Sequence, residues 1–205
     1  MNVARILYPV EVFGQGKKVA IWFCGCHHKC PGCSNPELWE FQDKYQIKLD
    51  QVKYLVRQIE DEVDGFVITG GEPFLQSTDL KELILFLKEI NDDILVYTGF
   101  LFEELKKQKS EYIEIILENI AILIDGKYIE ELNDNSLMRG SSNQQIYILH
   151  DVYRNRYENY FKNNTNKIQN FYSSSGMISV GIHKPNFMDD FEKNMNSDER
   201  LKTVK

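Results

Sequence analysis

Three cysteines on one short loop constrain this chain more than any other feature. They stand in the run Cys26-His27-His28-Lys29-Cys30-Pro31-Gly32-Cys33, a C-x3-C-x2-C spacing. With Cys24, all the cysteines of the chain fall between positions 24 and 33. A disulfide framework spreads its cysteines to tie distant loops. Clustered thiols point to metal or redox chemistry instead. Three readings are open. In the first, the thiolates hold a cubane iron–sulfur cluster. Each of its four irons normally takes one thiolate, so three thiolates leave one iron open. An open metal position belongs to a site that binds and activates something. In the second, the loop is a structural zinc site with Cys24 or His28 as fourth ligand. Such sites usually draw on two separated pairs; no second pair follows here, and His150 and His183 are isolated. In the third, Cys30-Pro31-Gly32-Cys33 is a thioredoxin-like redox pair, which leaves Cys26 without a role. Cys24 reads as a small buried residue at a strand end. His27 and His28 read as solvated loop histidines.

The first 150 residues alternate short apolar runs with amphipathic stretches. Strands are expected at Val19–Phe23, Phe66–Thr69, Ile94–Tyr97, Ala121–Ile124 and Gln145–Leu149. Residues 50–62 read as a helix with Val52, Leu55, Val56 and Ile59 on one stripe. A second helix runs to about Ile90, with Ser77 or Thr78 as its cap and Leu80, Leu83, Ile84 and Leu87 on one face. A third covers Phe102 to Lys109. Continuous apolar strands alternating with helices indicate an α/β fold with a mostly parallel sheet covered on both faces. A closed eight-fold barrel takes about 250 residues; 205 are too few. The expectation is therefore a partial, open-sided (β/α) barrel. In such folds the reactive loops follow the C-terminal ends of the strands. The cysteine loop, Gly70-Gly71, Thr98-Gly99 and Asp125-Gly126 all take that place.

Beyond His150 the character changes. Residues 151–170 are polar and asparagine-rich with Tyr153, Tyr157, Tyr160 and Phe161 interleaved, which suggests a surface helix or docking segment. Met177–Ile182 suggests an edge strand, and the charged, aperiodic stretch 188–205 a mobile tail. The expected division is a core over 1–150 and an extension over 151–205. Composition sets limits on function. A net charge of −7 without a basic patch speaks against a nucleic-acid partner. No run of 18 apolar residues supports a membrane span. The first residues lack the apolar block of a signal peptide, so a cytoplasmic protein is expected.

A second motif joins the cysteines. Thr69-Gly70-Gly71-Glu72-Pro73 lies between an expected strand and an expected helix. Alone it reads as a turn, with glycines for unusual φ and proline to open a helix. After C-x3-C-x2-C, on a β/α pattern, it resembles the signature of the radical S-adenosylmethionine (SAM) enzymes. Further pieces carry the resemblance to one family. Pro9-Val10-Glu11, Gly25-Cys26 through Asn35, Tyr97-Thr98-Gly99, Asp125-Gly126-Lys127-Tyr128 and Arg139-Gly140-Ser141-Ser142-Asn143-Gln144 are similar to the activating proteins of the anaerobic ribonucleotide reductase. The likeness spans about residues 7–150. One departure is Ser34, where that family usually carries an aromatic.

The resemblance implies a [4Fe-4S] cluster held by Cys26, Cys30 and Cys33, with SAM chelating the open iron through its amino and carboxylate groups. One electron would split the C5′–S bond, and the resulting radical would take hydrogen from a glycine of the reductase. It implies a low-potential electron donor as a further partner. Gly70, Gly71, Glu72 and Pro73 would border the methionine part. Glu72 or its neighbouring carbonyls would accept from the ammonium, and Gly71 would admit the cofactor close to the backbone. Gly32, Cys33 and Ser34 would present backbone to cluster and cofactor, and Tyr97, Thr98 and Gly99 would line the adenosine. Asp125, Lys127 and Arg139 are rim charges. Arg139 would pair with the SAM carboxylate or a partner acid, or these charges stay solvated or brace turns. Two alternatives stay open: a small enzyme of the same chemistry acting on a metabolite or peptide, similar to carboxy-deazaguanine synthase, and a non-catalytic metal-binding module.

Overall fold

The structure is a computed structural model that describes residues 1–173 and 176–187 and the single positions 190 and 193. Six strands form one sheet in chain order: β1 (Val3–Val10), β2 (Lys18–Phe23), β3 (Gly65–Gly70), β4 (Ile94–Tyr97), β5 (Ile122–Asp125) and β6 (Gln145–Ile148). β2 to β5 run parallel; β1 and β6 flank them antiparallel. The sheet does not close on itself, so the fold is the partial, open-sided α/β arrangement. The central strands are short and almost free of polar residues because both of their faces are covered. Val19, Ala20, Ile21 and Phe23 of β2 are fully buried, as are Ile94, Leu95 and Val96 of β4.

Helices α1 (Leu49–Arg57), α2 (Ser77–Ile90), α3 (Phe102–Lys107) and α4 (Glu111–Glu118) lie between the parallel strands. They cover one face. Val52, Val56, Leu80, Leu83, Ile84, Leu87, Leu105, Ile113 and Ile116 pack there on Ile21, Phe66, Ile68, Val96 and Leu123. Crossovers of one hand between strands laid down in sequential order put every helix on the same side. The opposite face, with Ala20, Trp22, Val67, Leu95 and Ile124, is covered differently. Phe13, Leu38, Met138, Tyr157 and Val180 close it. Two of these belong to the segment after His150.

That segment forms α5 (Arg154–Asn163) and a hairpin of β7 (Ile168–Ser173) and β8 (Gly176–Gly181). α5 is a surface helix, as expected, and one of its interleaved aromatics anchors it to the sheet. Tyr157 is buried, and its hydroxyl donates to Asp93 Oδ1 at 2.6 Å and accepts from Lys18 Nζ at 3.2 Å. Lys18 and Asp93 form a fully buried ion pair at 2.8 Å, and Arg156 reaches the same carboxylate at 3.2 Å. Burial pulls the Lys18 ammonium below its ordinary pKa and pushes the Tyr157 phenol up. The strand near 177–182 forms as well, but it pairs with β7 in a sheet of its own and does not extend the main one. The edge strands of the main sheet are β1 and β6, and β8 pairs with neither. Of the charged stretch 188–205 only positions 190 and 193 are described, so its expected mobility lies outside the described residues.

Two local readings need correction. The helix expected over 50–62 ends at Arg57, and a separate short turn follows at Glu60–Glu62. Three acidic residues at the C-terminal end of a helix oppose its dipole and stop it. Leu55, assigned to the buried stripe, points outward and is 47% exposed. Neither Ser77 nor Thr78 caps α2. Ser77 is the first helical residue, and a tight turn at Pro73–Gln76 leads directly into it. Glu72 caps that turn, accepting from the Phe74 amide.

Candidate active site on the sheet rim

Four loops meet beyond the C-terminal ends of β2, β3, β4 and β5. The cysteine loop leaves β2 and at once pairs with its neighbours. The Cys24 amide donates to Asn2, that of Gly25 to Leu38 at 2.8 Å, and that of Cys26 to Trp39 at 2.7 Å. The loop after β3 prolongs the sheet: the Gly71 amide donates to Phe23 and the Glu72 amide to Gly25, both at 2.8 Å. This close approach explains a glycine at 71. A Cβ there would stand 2.5 Å from the Gly25 carbonyl oxygen, which is backbone and cannot swing away. Gly71→Ala is expected to cost about 1–3 kcal/mol, as overpacked sites do. At about 2–4 °C per kcal/mol for a chain of this size, the melting temperature falls by several degrees. An unchanged melting curve counts against this packing.

Glu72 is the centre of the rim. It is fully buried and both oxygens are taken. Oε1 accepts from the Phe74 amide at 3.0 Å and from the Thr98 hydroxyl at 2.9 Å. Oε2 accepts from the Gly99 amide at 2.7 Å and meets His28 Nε2 at 3.2 Å. A carboxylate has about four lone-pair positions, and four donors fill them. One side chain thus ties together the loops after β2, β3 and β4. His28 is the residue that sequence reasoning misplaced. Its side chain is 5% exposed, not solvated. The imidazole lies over Gly99, where any Cβ would collide with the ring, and packs edge-on to Phe100 at 4.9 Å between centroids. His27 is exposed, as expected. No signal in the sequence separates the two histidines. Only the pairing with Glu72 does.

The three cysteines are free and half-buried. Cys33 lies close enough to Cys26 and Cys30 to act electrostatically on both. Burial pushes the Cys26 and Cys30 thiols up, and backbone amides pull the other way: those of His28 and Lys29 at Cys26, that of Tyr128 at Cys30. The Asn35 amide points at Cys33 Sγ from 3.4 Å. Amides aimed at sulfur stabilise bound thiolates and tune iron–sulfur centres, so the donor set fits a cluster. Cys24 stands apart. It is buried, and its thiol meets the Glu40 carbonyl at 3.0 Å. With Cys24 so placed and His28 on Glu72, both fourth ligands of the zinc reading are engaged elsewhere. Among the described residues no three His, Cys, Asp or Glu side chains converge on one point as ligands of a single ion do. A cubane asks less of them, since each thiolate takes a different iron.

The loop after β5 closes the site beside the cysteines. Gly32 is exposed and faces the Glu130 carboxylate, while Ser34 is exposed on the cysteine loop. The run 139–144 locks this loop. Gln144 Oε1 accepts from the Gly140 amide at 2.7 Å, and its Nε2 donates to the Gly126 carbonyl at 2.8 Å. Asn143 donates to Lys127 at 2.9 Å, and the Ser141 hydroxyl accepts from Ile129 at 3.1 Å. The Arg139 guanidinium turns onto the Gln144 carbonyl at 3.0 Å, and buried Asp125 accepts from the amides of Phe102 and Gln145. These two charges brace turns. Tyr97 belongs to the second sheet face: its hydroxyl donates to the Met138 carbonyl at 2.9 Å, its ring stands edge-on to Phe13, and burial raises its pKa strongly. Thr98 is buried on Glu72, and Pro73 is buried at the head of the turn into α2.

Comparison with known proteins places the chain in a family. Residues 12–147, two thirds of the chain, match the family described as 4Fe-4S single cluster domain. The chain is 32% identical over 153 residues to the anaerobic ribonucleoside-triphosphate reductase-activating protein of Enterobacteria phage T4, covering 72% of this chain and 94% of that protein. It is 33% identical over 150 residues to the protein of that name from Haemophilus influenzae (68% and 94%), and 29% over 152 residues to that of Escherichia coli strain K12 (69% and 96%). The chain therefore carries a 4Fe-4S single-cluster domain. Within that class, the chain belongs to the anaerobic ribonucleoside-triphosphate reductase-activating protein family. No described helix is long and apolar enough to cross a membrane.

Proposed function

We propose that Cys26, Cys30 and Cys33 hold a [4Fe-4S] cluster with one iron free for S-adenosylmethionine, and that the chain uses it to activate an anaerobic ribonucleoside-triphosphate reductase by making a glycyl radical. The observation that carries this reading is the buried carboxylate of Glu72. It joins the cysteine loop to the loops after β3 and β4, beside three free thiols, in a chain of this family. When bound and reduced, the cluster supplies the electron that splits the cofactor's C5′–S bond and so yields the hydrogen-abstracting radical.

The protein's work is placement and shielding. The thiolates fix the cluster at the rim. Gly32, Cys33 and Ser34 offer backbone on one side, and Gly70, Gly71 and Pro73 form the opposite lip. With four donors already on Glu72, a methionine ammonium would be met by the carbonyls beside it. Thr98 and Gly99, with Tyr97 behind them, form the wall facing the adenosine. Asp125 and Arg139 act by keeping the loop after β5 closed over the cysteines. The open side of the sheet gives a protein loop access, as a macromolecular substrate requires. We assign the catalytic core to residues 1–150 and treat 151–205 as an extension. A low-potential reductant supplies the electron, and the setting is cytoplasmic.

The test is anaerobic reconstitution followed by dithionite and SAM. The expected protein is brown with about four irons, releases 5′-deoxyadenosine, and produces a glycyl radical signal in a partner reductase. A colourless zinc protein refutes the reading. Release of 5′-deoxyadenosine with no radical on any such reductase shows a different substrate.

A further inference from the structure

We propose that His28 is a positioning residue, which holds the cluster loop in register with the cofactor-binding loops through Glu72. The inference rests on the activating-enzyme reading for its consequence, though not for its geometry. His28 lies midway between Cys26 and Cys30, so its ring is carried by the cluster's own loop. Its Nε2 stands 3.2 Å from Glu72 Oε2, the oxygen that also accepts from the Gly99 amide at 2.7 Å. An ionised carboxylate only accepts, so this contact is a hydrogen bond in the tautomer that carries its hydrogen on Nε2. The link therefore runs from the cysteine loop to the loop after β4 through one buried oxygen.

Two observations mark this link as built. The imidazole is 5% exposed, on a loop whose neighbouring side chains His27 and Lys29 are open to solvent. Its second nitrogen, Nδ1, is buried and has no hydrogen-bond partner among the described residues. A histidine retained only to fill space would be better served by an apolar ring, since a buried unpartnered nitrogen is unfavourable. The contact of Nε2 with Glu72 offsets that cost. Packing sets the same register: Gly99 is bare under the ring, and Phe100 flanks it. Cluster and cofactor must meet within a fraction of an ångström for electron transfer to break one bond, and rates fall steeply with small misplacements. A tie between the two loops meets that demand.

The experiment uses reconstituted holoprotein with wild-type sequence, His28→Ala and His28→Gln. Glutamine can return an N–H to Glu72 from a similar reach. The first readout is hydrogen–deuterium exchange in the peptides covering 26–33 and 98–101. His28→Ala is expected to raise exchange in both at least about tenfold, with four irons retained, and His28→Gln to restore most of the protection. The second is a SAM titration of the reduced cluster's EPR spectrum. Half-saturation is expected to move up at least about tenfold in His28→Ala and to recover in His28→Gln. Unchanged exchange at 98–101 in His28→Ala overturns the proposal, and so does an unchanged titration. Failure of the wild type itself to respond to SAM refutes the activating-enzyme reading, while the exchange data still decide whether His28 ties the loops.

Discussion

Alanine at any one of Cys26, Cys30 or Cys33 is expected to leave the reconstituted protein without a stable four-iron centre, and 5′-deoxyadenosine release falls with it. Losing an outer-shell partner of a metal site already costs about 10–100-fold, so loss of a ligand should exceed about 100-fold. Cys24→Ala is the control. The Cys24 thiol is buried under the rim against the Glu40 carbonyl, away from the other three. The variant should keep its iron and its activity and lose about 1 kcal/mol of stability, a typical core substitution. Iron content, the EPR spectrum of the reduced cluster and product release together check the set. Loss of the cluster in Cys24→Ala, or its survival in any of the other three, would show that the ligands are misassigned.

The second large effect lies at the other end of the sheet. Asp93→Ala removes the carboxylate that pairs with Lys18 and Arg156 and accepts from the Tyr157 hydroxyl. An ammonium with no exposed surface is then left unpaired. Breaking a buried pair from one side costs about 3–5 kcal/mol, a large share of the roughly 5–15 kcal/mol that holds a domain together. Tyr157→Phe should cost less, about 1–2 kcal/mol, since Lys18 and Asp93 keep each other. Urea denaturation of the three proteins measures both. The outcome that fails is a loss under about 1 kcal/mol in Asp93→Ala. The pair also fixes α5 to the sheet. Loss of Asp93 should therefore loosen the cover of the second face, where Tyr157 and Val180 pack, and raise binding of a hydrophobic dye.

These two sites differ in how much of them the sequence contains. The cysteine loop is legible because its chemistry is local. Three thiols within eight positions are close in space whatever the fold, and Gly-Gly-Glu-Pro after a run such as Phe66–Thr69 is one turn of chain. The parallel strands are legible for a similar reason: a strand buried on both faces must be written as a continuous apolar run, as Val19–Phe23 and Ile94–Tyr97 are. β1 is not legible. Its residues from Ala4 to Pro9 are half-buried on an edge, and Val3–Val10 carries no clean alternation. The direction of β6 is hidden too, because it depends on a loop with no crossover helix between Asp125 and Gln145.

What the sequence by itself determined is the metal-binding loop, its partner motif and the α/β alternation that brings them to one rim. Each is a pattern over a few neighbouring residues and survives any packing. What only the tertiary structure decided is the set of polar pairings across the chain. His28 on Glu72 spans 44 residues, Lys18 with Tyr157 spans 139, and Gln169 of β7 reaches Pro9 across 160. A buried charge or imidazole takes its role from whichever group the fold delivers to it, and that group can lie anywhere along the chain. Composition assigns such residues to the surface, and here close packing placed them inside.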